Sequence, residues 1–153
     1  MSEFLNDLFF MKWAEDVSEA STCAKIKVGS VITKNKRVVS LGYNGVPSGV
    51  DHCCNHFSGD LSREVLGEDE FLKLHSEFSN NFELHAESNA IIDALNRQQD
   101  LTGTTLYCTY SPCSHCSKLI IQTGIKRVVF KKFYSVEPVQ WLSQFISVTH
   151  LPD

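Results

Sequence analysis

Two β-branched runs, residues 27–33 (KVGSVIT) and 37–43 (RVVSLGY), stand three residues apart, and every later strand pattern is separated from the next by a helical one. That order constrains the fold more than any other feature. Lys34-Asn35-Lys36 between the first two runs predicts an antiparallel hairpin. Residues 85–97 place Ala86, Ala90, Ile91, Ala94 and Leu95 on one face and predict a helix. Residues 104–110 (TTLYCTY) predict a strand, and Pro112 then fits the first turn of a short helix that Gly124 ends. Another strand follows at 127–133, then a weak helix at 136–144 and a last strand at 146–151. Strands separated by helices need crossover connections, so the sheet should be parallel after an antiparallel start and covered by helices.

Ahead of this core, residues 6–20 read as an amphipathic helix, with Leu5, Phe9, Trp13 and Val17 at four-residue steps and Leu8 and Ala20 on the same face. Between 46 and 84 the pattern weakens into Gly, Ser and acids, with one short helical stretch around 68–75. A segment of that length without clear structure is usually functional or ordered by something else. No repeat or linker interrupts the chain, so residues 1–153 read as a single α/β domain carrying an insert at about 46–84.

Composition excludes several classes. Hydrophobic residues make up 42% and charged residues 21% of the chain, which is neither disordered nor membrane-like. The longest apolar stretch, 119–130, is broken by Gln122, Gly124, Lys126 and Arg127. The amino terminus carries acids where a signal or transit peptide carries positive charge, so the expected location is the cytoplasm, or the host cytoplasm if the chain is viral. A net charge of −4 argues against a nucleic-acid partner, which needs a basic surface to release counterions. Basic residues nonetheless gather at Lys25, Lys27, Lys34, Lys36 and Arg37, and again at Lys126, Arg127, Lys131 and Lys132. They are either solvated strand edges or sources of phosphate contacts.

Six cysteines in a chain without a secretory signal point to metal or chemistry rather than disulfides. Two short windows carry the chemistry: His85-Ala86-Glu87 at one predicted helix start, and Pro112-Cys113-Ser114-His115-Cys116 at the next. Zinc accepts Cys sulfur and His nitrogen, and a catalytic zinc has three protein ligands and an open fourth position. Cys113 and Cys116 lie on one helical turn, near an amino terminus whose partial positive charge favours thiolates. His85 supplies the third ligand, and Glu87 faces the open position. Zinc brings the pKa of a water there down toward about 7. Glu87 then moves that water's protons to a ring nitrogen and to a departing ammonia. A C-x-x-C redox pair has no use for His-x-Glu opening the preceding helix, and H-x-E followed by P-C-x-x-C is the pattern of zinc nucleobase deaminases. His115 reads as a solvated spacer and Cys108, in phase with Leu106 and Tyr110, as core.

The chain resembles the cytidine/deoxycytidylate deaminase superfamily and, within it, the deoxycytidylate (dCMP) deaminases, including those of T-even-like phages. The resemblance runs over 20–133, through KVGSVI (27–32), GYNGVPSG (42–49), HCCN (52–55), ELHAESNAI (83–91), TLYCTYSPCSHC (105–116) and GIKRVVF (124–130). It implies a three-layer α/β/α cytidine-deaminase fold around a mixed five-stranded sheet, and zinc-dependent hydrolysis of dCMP to dUMP that feeds thymidylate synthesis. It also implies a second, closed zinc site at Cys23, Cys53, His75 and Glu83, tying the insert to the end of the first helix. Cys54, adjacent to Cys53, could take its place. For substrate the resemblance points to Asn44 on the deoxyribose, with Ala86 and Ser111 around the cytosine. Phe133 or Tyr134 would stack on the base or, for the tyrosine, bond the phosphate; Asn44 also suits a plain turn. Relatives are commonly homo-oligomers, often hexamers, activated by dCTP and inhibited by dTTP. The competing readings are a deaminase that also takes dCTP, a nucleic-acid deaminase, and a non-catalytic zinc-stabilised nucleotide sensor.

Overall fold

The hairpin forms where the sequence places it, and its turn explains why. In the computed structural model, which describes residues 2–153, Asn35 and Lys36 have φ of 51° and 61°. Two consecutive positive φ values make a two-residue turn whose twist matches the flanking strands. It joins β1 (Gly29–Lys34) to β2 (Arg37–Tyr43) in antiparallel register, with Gly29 opposite Tyr43.

Three further strands, β3 (Thr105–Tyr110), β4 (Arg127–Lys132) and β5 (Ser147–His150), complete a mixed five-stranded sheet in the order β2-β1-β3-β4-β5. β1 runs antiparallel to β3, with Ser30 opposite Cys108, while β3, β4 and β5 are mutually parallel. Successive strand residues feed two cores. On one face Ile32, Leu106 and Val128 pack with Ala90 and Ile91 of α5 (Ala86–Asn96), Ile120 of α6 (Ser114–Gln122) and Leu142 of α7 (Val136–Leu142). On the other, Val31, Tyr107 and Val129 pack with Phe10, Met11 and Ala14 of α1 (Glu3–Ser18). The three layers follow from this period-two alternation.

The first helix seats itself the opposite way from its sequence pattern. Asn6, Asp7, Phe10, Met11, Ala14 and Ser18 are buried, whereas Leu5, Leu8, Phe9 and Trp13 face outward, Phe9 being 50% exposed. Two features decide the face. Gly29 lets the helix backbone approach so closely that a Cβ there would lie 2.1 Å from the Ala14 carbonyl oxygen. Asp7 accepts two hydrogen bonds from the Arg127 guanidinium, at 2.8 and 2.6 Å, and one from the Tyr107 hydroxyl at 2.8 Å.

The insert is also better ordered than its composition implied. It holds α2 (Cys53–His56), a 3-10 turn (Gly59–Leu61), α3 (Arg63–Leu66) and α4 (Glu68–Phe82). α4 is twice the helix expected there, because Phe71, His75 and Phe78 form a buried stripe once the histidine is counted with the aromatics. Phe57, Phe71 and Phe78 join Cys23 and Cys53 in a separate small core. Gly45 and Leu84 close the segment with reciprocal backbone hydrogen bonds of 3.0 and 2.8 Å. Among the described residues no helix is long and apolar enough to cross a membrane.

Candidate active site

Two helix starts converge beside the end of β3. His85 is the N-cap of α5, and Glu87 sits in that helix's first turn, 4% exposed. Cys113 is the N-cap of α6, so Pro112 precedes the helix rather than opening it, and Cys116 lies in its first turn. The His85 Nδ1 atom lies 3.3 Å from Cys113 Sγ and 3.4 Å from Cys116 Sγ. For tetrahedral zinc with ordinary Zn–N and Zn–S bonds, the N···S separation is about 3.6 Å, so these side chains fit one zinc ion. Glu87 stands outside the trio.

Electrostatics favour a cation here. The hydrogen bond from Cys116, joined by His85, holds the Cys113 thiol well below its ordinary range. The hydrogen bond to Cys113 in turn raises His85. Both thiols stand at the amino terminus of α6, where the dipole favours the thiolate form.

A second cluster joins the insert to the segment after α1. Cys23, Cys53, His75 and Glu83 each offer a ligand atom, all within 4.8 Å of one another. Cys23 Sγ lies 3.3 Å from His75 Nε2, which is 3.4 Å from Glu83 Oε1. Cys53 also accepts a hydrogen bond from the Ala24 amide at 3.2 Å. Cys53 rather than Cys54 turns into this cluster; Cys54 is exposed beside Asn55. Burial first, and then the Cys23 charge, push the Glu83 carboxyl up to about 6, and its Oε2 is buried without a partner. Two thiols, an imidazole and an unpaired buried carboxylate oxygen are together suited to holding one metal ion.

One cavity of about 250 Å³ runs along both clusters, with Cys23, His75, Glu83, His85, Glu87 and Cys113 in its wall. The four residues assigned to substrate, Asn44, Ala86, Ser111 and Tyr134, all line it as well. Asn44 spends its side chain on the wall itself: Oδ1 accepts from the Val28 amide at 2.8 Å and Nδ2 donates to the Ile26 carbonyl at 2.9 Å. Ser111 Oγ accepts from the Tyr134 amide at 2.8 Å and so fixes the turn after β4. Phe133 leans instead on Phe130 and His150. Of the two basic stretches only Lys25 reaches the cavity; Lys131 is held by Glu15 and Asp153.

Two residues near the chemistry, His115 and Cys108, were not picked out for it by sequence. His115, read as a spacer, lines the cavity. Cys108, read as core, is indeed buried, and its thiol also lies 2.7 Å from Glu87 Oε1. The signal for it was its strand phase, which turns it to the face that carries α5.

Known proteins show the family and the fold of the chain. Residues 5–132 match the family model for the cytidine and deoxycytidylate deaminase zinc-binding region. Deoxycytidylate deaminase of Enterobacteria phage T4 is 37% identical over 149 residues, covering 82% of this chain and 77% of the phage protein. That of Mycobacterium phage D29 is 38% identical over 126 residues, covering 82% of this chain and 94% of its own length. Among solved structures, dCMP deaminase from the cyanophage S-TIM5 in complex with dCMP and dUMP superimposes with a TM-score of 0.78 at 32% identity, covering 99% of both chains.

Proposed function

The chain belongs to the cytidine and deoxycytidylate deaminase zinc-binding family, and on that premise we propose that it hydrolyses dCMP to dUMP and ammonia, supplying dUMP for thymidylate synthesis. The observation that carries this reading is the placement of Glu87: a buried carboxylate in the cavity wall, beside the three-ligand cluster but not part of it.

His85, Cys113 and Cys116 would hold the catalytic zinc. When bound, it supplies the Lewis acidity that lets water lose a proton near neutral pH. Glu87 carries the protons. It takes one from the attacking water and gives it to N3 of cytosine. It then takes the second and delivers it to the exocyclic amino group, so that a C4–O bond replaces C4–N and ammonia leaves. The backbone at Ala86 and Ser111 borders the space for the base, Asn44 shapes the wall on the sugar side, and Tyr134 stands at the rim. Lys25 is the cation available to the 5′-phosphate.

The rest of the proposal concerns assembly. Residues 1–153 form one deaminase domain, with 46–84 tied by a second, structural zinc at Cys23, Cys53, His75 and Glu83. The free thiols are suited to the reducing cytoplasm, or to the host cytoplasm for a phage-encoded chain. Self-association would cover the outward stripe of α1, since contiguous exposed apolar side chains mark interaction surfaces. Allosteric response to dCTP and dTTP goes with such an assembly.

Ammonia release from dCMP by the zinc-supplied protein, with and without dCTP, tests the reading. Turnover of dCMP is expected, and Glu87→Gln should lower it by about 10²–10⁴-fold while zinc at the His85 cluster is retained. No release from dCMP under either condition, or a fully active Glu87→Gln variant, overturns it. dCTP offered as a substrate in the same assay measures whether the site admits the triphosphate.

A further inference from the structure

A carboxylate that accepts and returns protons twice in one turnover must keep its orientation while its charge changes. Cys108 is placed to enforce that. Glu87 Oε1 lies 2.7 Å from the Sγ of Cys108, in the middle of β3. Cys108 is fully buried, and its backbone is clamped between two strands, opposite Ser30 of β1 and Phe130 of β4. It shares its face of the sheet with Leu106, which packs under α5 and α6. The side chain therefore has no freedom to turn away, and it offers the carboxylate a rigid partner.

We propose that Cys108 is a positioning residue for the proton carrier: its thiol donates a hydrogen bond to Glu87 Oε1 and so fixes the other carboxylate oxygen toward the cavity. The inference rests on the reading of Glu87 as that carrier. Burial first, and then the negative charge of Glu87, push the thiol well above its ordinary range. Cys108 therefore stays protonated and acts as donor, not as base or metal ligand. A thiol is a weak donor, and weakness is an advantage here, because the bond orients the carboxylate without locking it in the ionised form. An aliphatic side chain in its place would leave a buried carboxylate oxygen without a partner.

The test uses the zinc-loaded protein and three variants. Cys108→Val and Cys108→Ala remove the donor, and Cys108→Ser keeps one. The two apolar variants should lose about 10-fold or more in kcat, because a misplacement of about 1 Å costs up to 100-fold. KM for dCMP should stay within about twofold, since substrate binding in the ground state does not use this contact. Serine should recover most of the loss, with zinc content equal throughout. A valine variant with full kcat, or a serine variant as impaired as valine, overturns the proposal.

The infrared S–H stretch gives a readout that needs no substrate. The band isolated by subtracting the Cys108→Val spectrum should lie at lower wavenumber in the wild type than in a Glu87→Ala background. An equal position in both overturns the hydrogen bond. A protein that shows the shifted band but no dCMP turnover would refute the functional reading and leave the contact established.

Discussion

Alanine at position 42 should disable the site from a distance. Gly42 lies on β2 beneath α5, and its backbone is not in the left-handed region, so only space is at issue. A Cβ there would sit 2.3 Å from the Ala90 nitrogen, 2.4 Å from the Ala86 carbonyl oxygen and 2.8 Å from the Asn89 carbonyl carbon. All three are backbone atoms, so no rotamer change relieves the contact. Ordinary contact begins near 3.4 Å, and α5 must therefore ride outward by about 1 Å. His85 and Glu87 stand at the end of α5 that moves. Overpacking of this kind costs about 1–3 kcal/mol, or about 2–4 °C of Tm for each kcal/mol in a chain of this size. The same displacement should lower kcat/KM for dCMP by about 100-fold. Gly29→Ala is the control: its Cβ would strike Ala14 and Ser18, so it displaces α1 and should lower Tm without a matching loss of kcat. Steady-state kinetics beside thermal melts decide the matter. Equal losses of activity in the two variants, or a Gly42→Ala variant at the wild-type rate, would refute the argument.

Metal content should be two zinc ions per chain. Cys113→Ala should remove one together with all turnover, and Cys23→Ala should remove about half the bound zinc and raise hydrogen exchange in 46–84 while His85-site chemistry persists; one ion per wild-type chain would defeat this. Arg127→Met leaves the buried Asp7 carboxylate with only the Tyr107 hydroxyl and should cost about 3–5 kcal/mol in urea unfolding. Adding Asp7→Asn should restore more than half of that, and a double variant as weak as the single would contradict the pairing argument. Phe9→Glu, on the outward stripe of α1, should shift the protein to a smaller species in light scattering, whereas a wild type that is already monomeric rules out this interface.

The sheet was legible because its signals are local: β-branched runs, a turn with Asn at a positive-φ position, and helices between the later strands. The meeting of His85, Cys113 and Cys116 was legible for a related reason. The three residues sit within two short windows, each tied to a helix start, so only the approach of the windows had to be supplied by the fold. The seating of α1 was not legible, since Gly29 and the Asp7–Arg127 pair choose its face across long sequence separations and overrule the larger hydrophobics. The small core of the insert escaped notice because His75 completes an aromatic stripe that hydrophobicity alone leaves broken. Cys108 could be placed on the correct face by strand phase, but no local pattern says which side chain of α5 it meets.

The paired hydrogen bonds between Gly45 and Leu84 have a consequence for how such a chain can diverge. They bring the entry and exit of the insert together, so the sheet experiences the intervening segment as a closed loop whatever its length. Closing a longer loop costs little more than closing a short one, each doubling adding only about 0.6 kcal/mol. The excursion between these two residues can therefore grow, shrink or change its sequence in descendants while the cluster at His85, next to Leu84, keeps its dimensions.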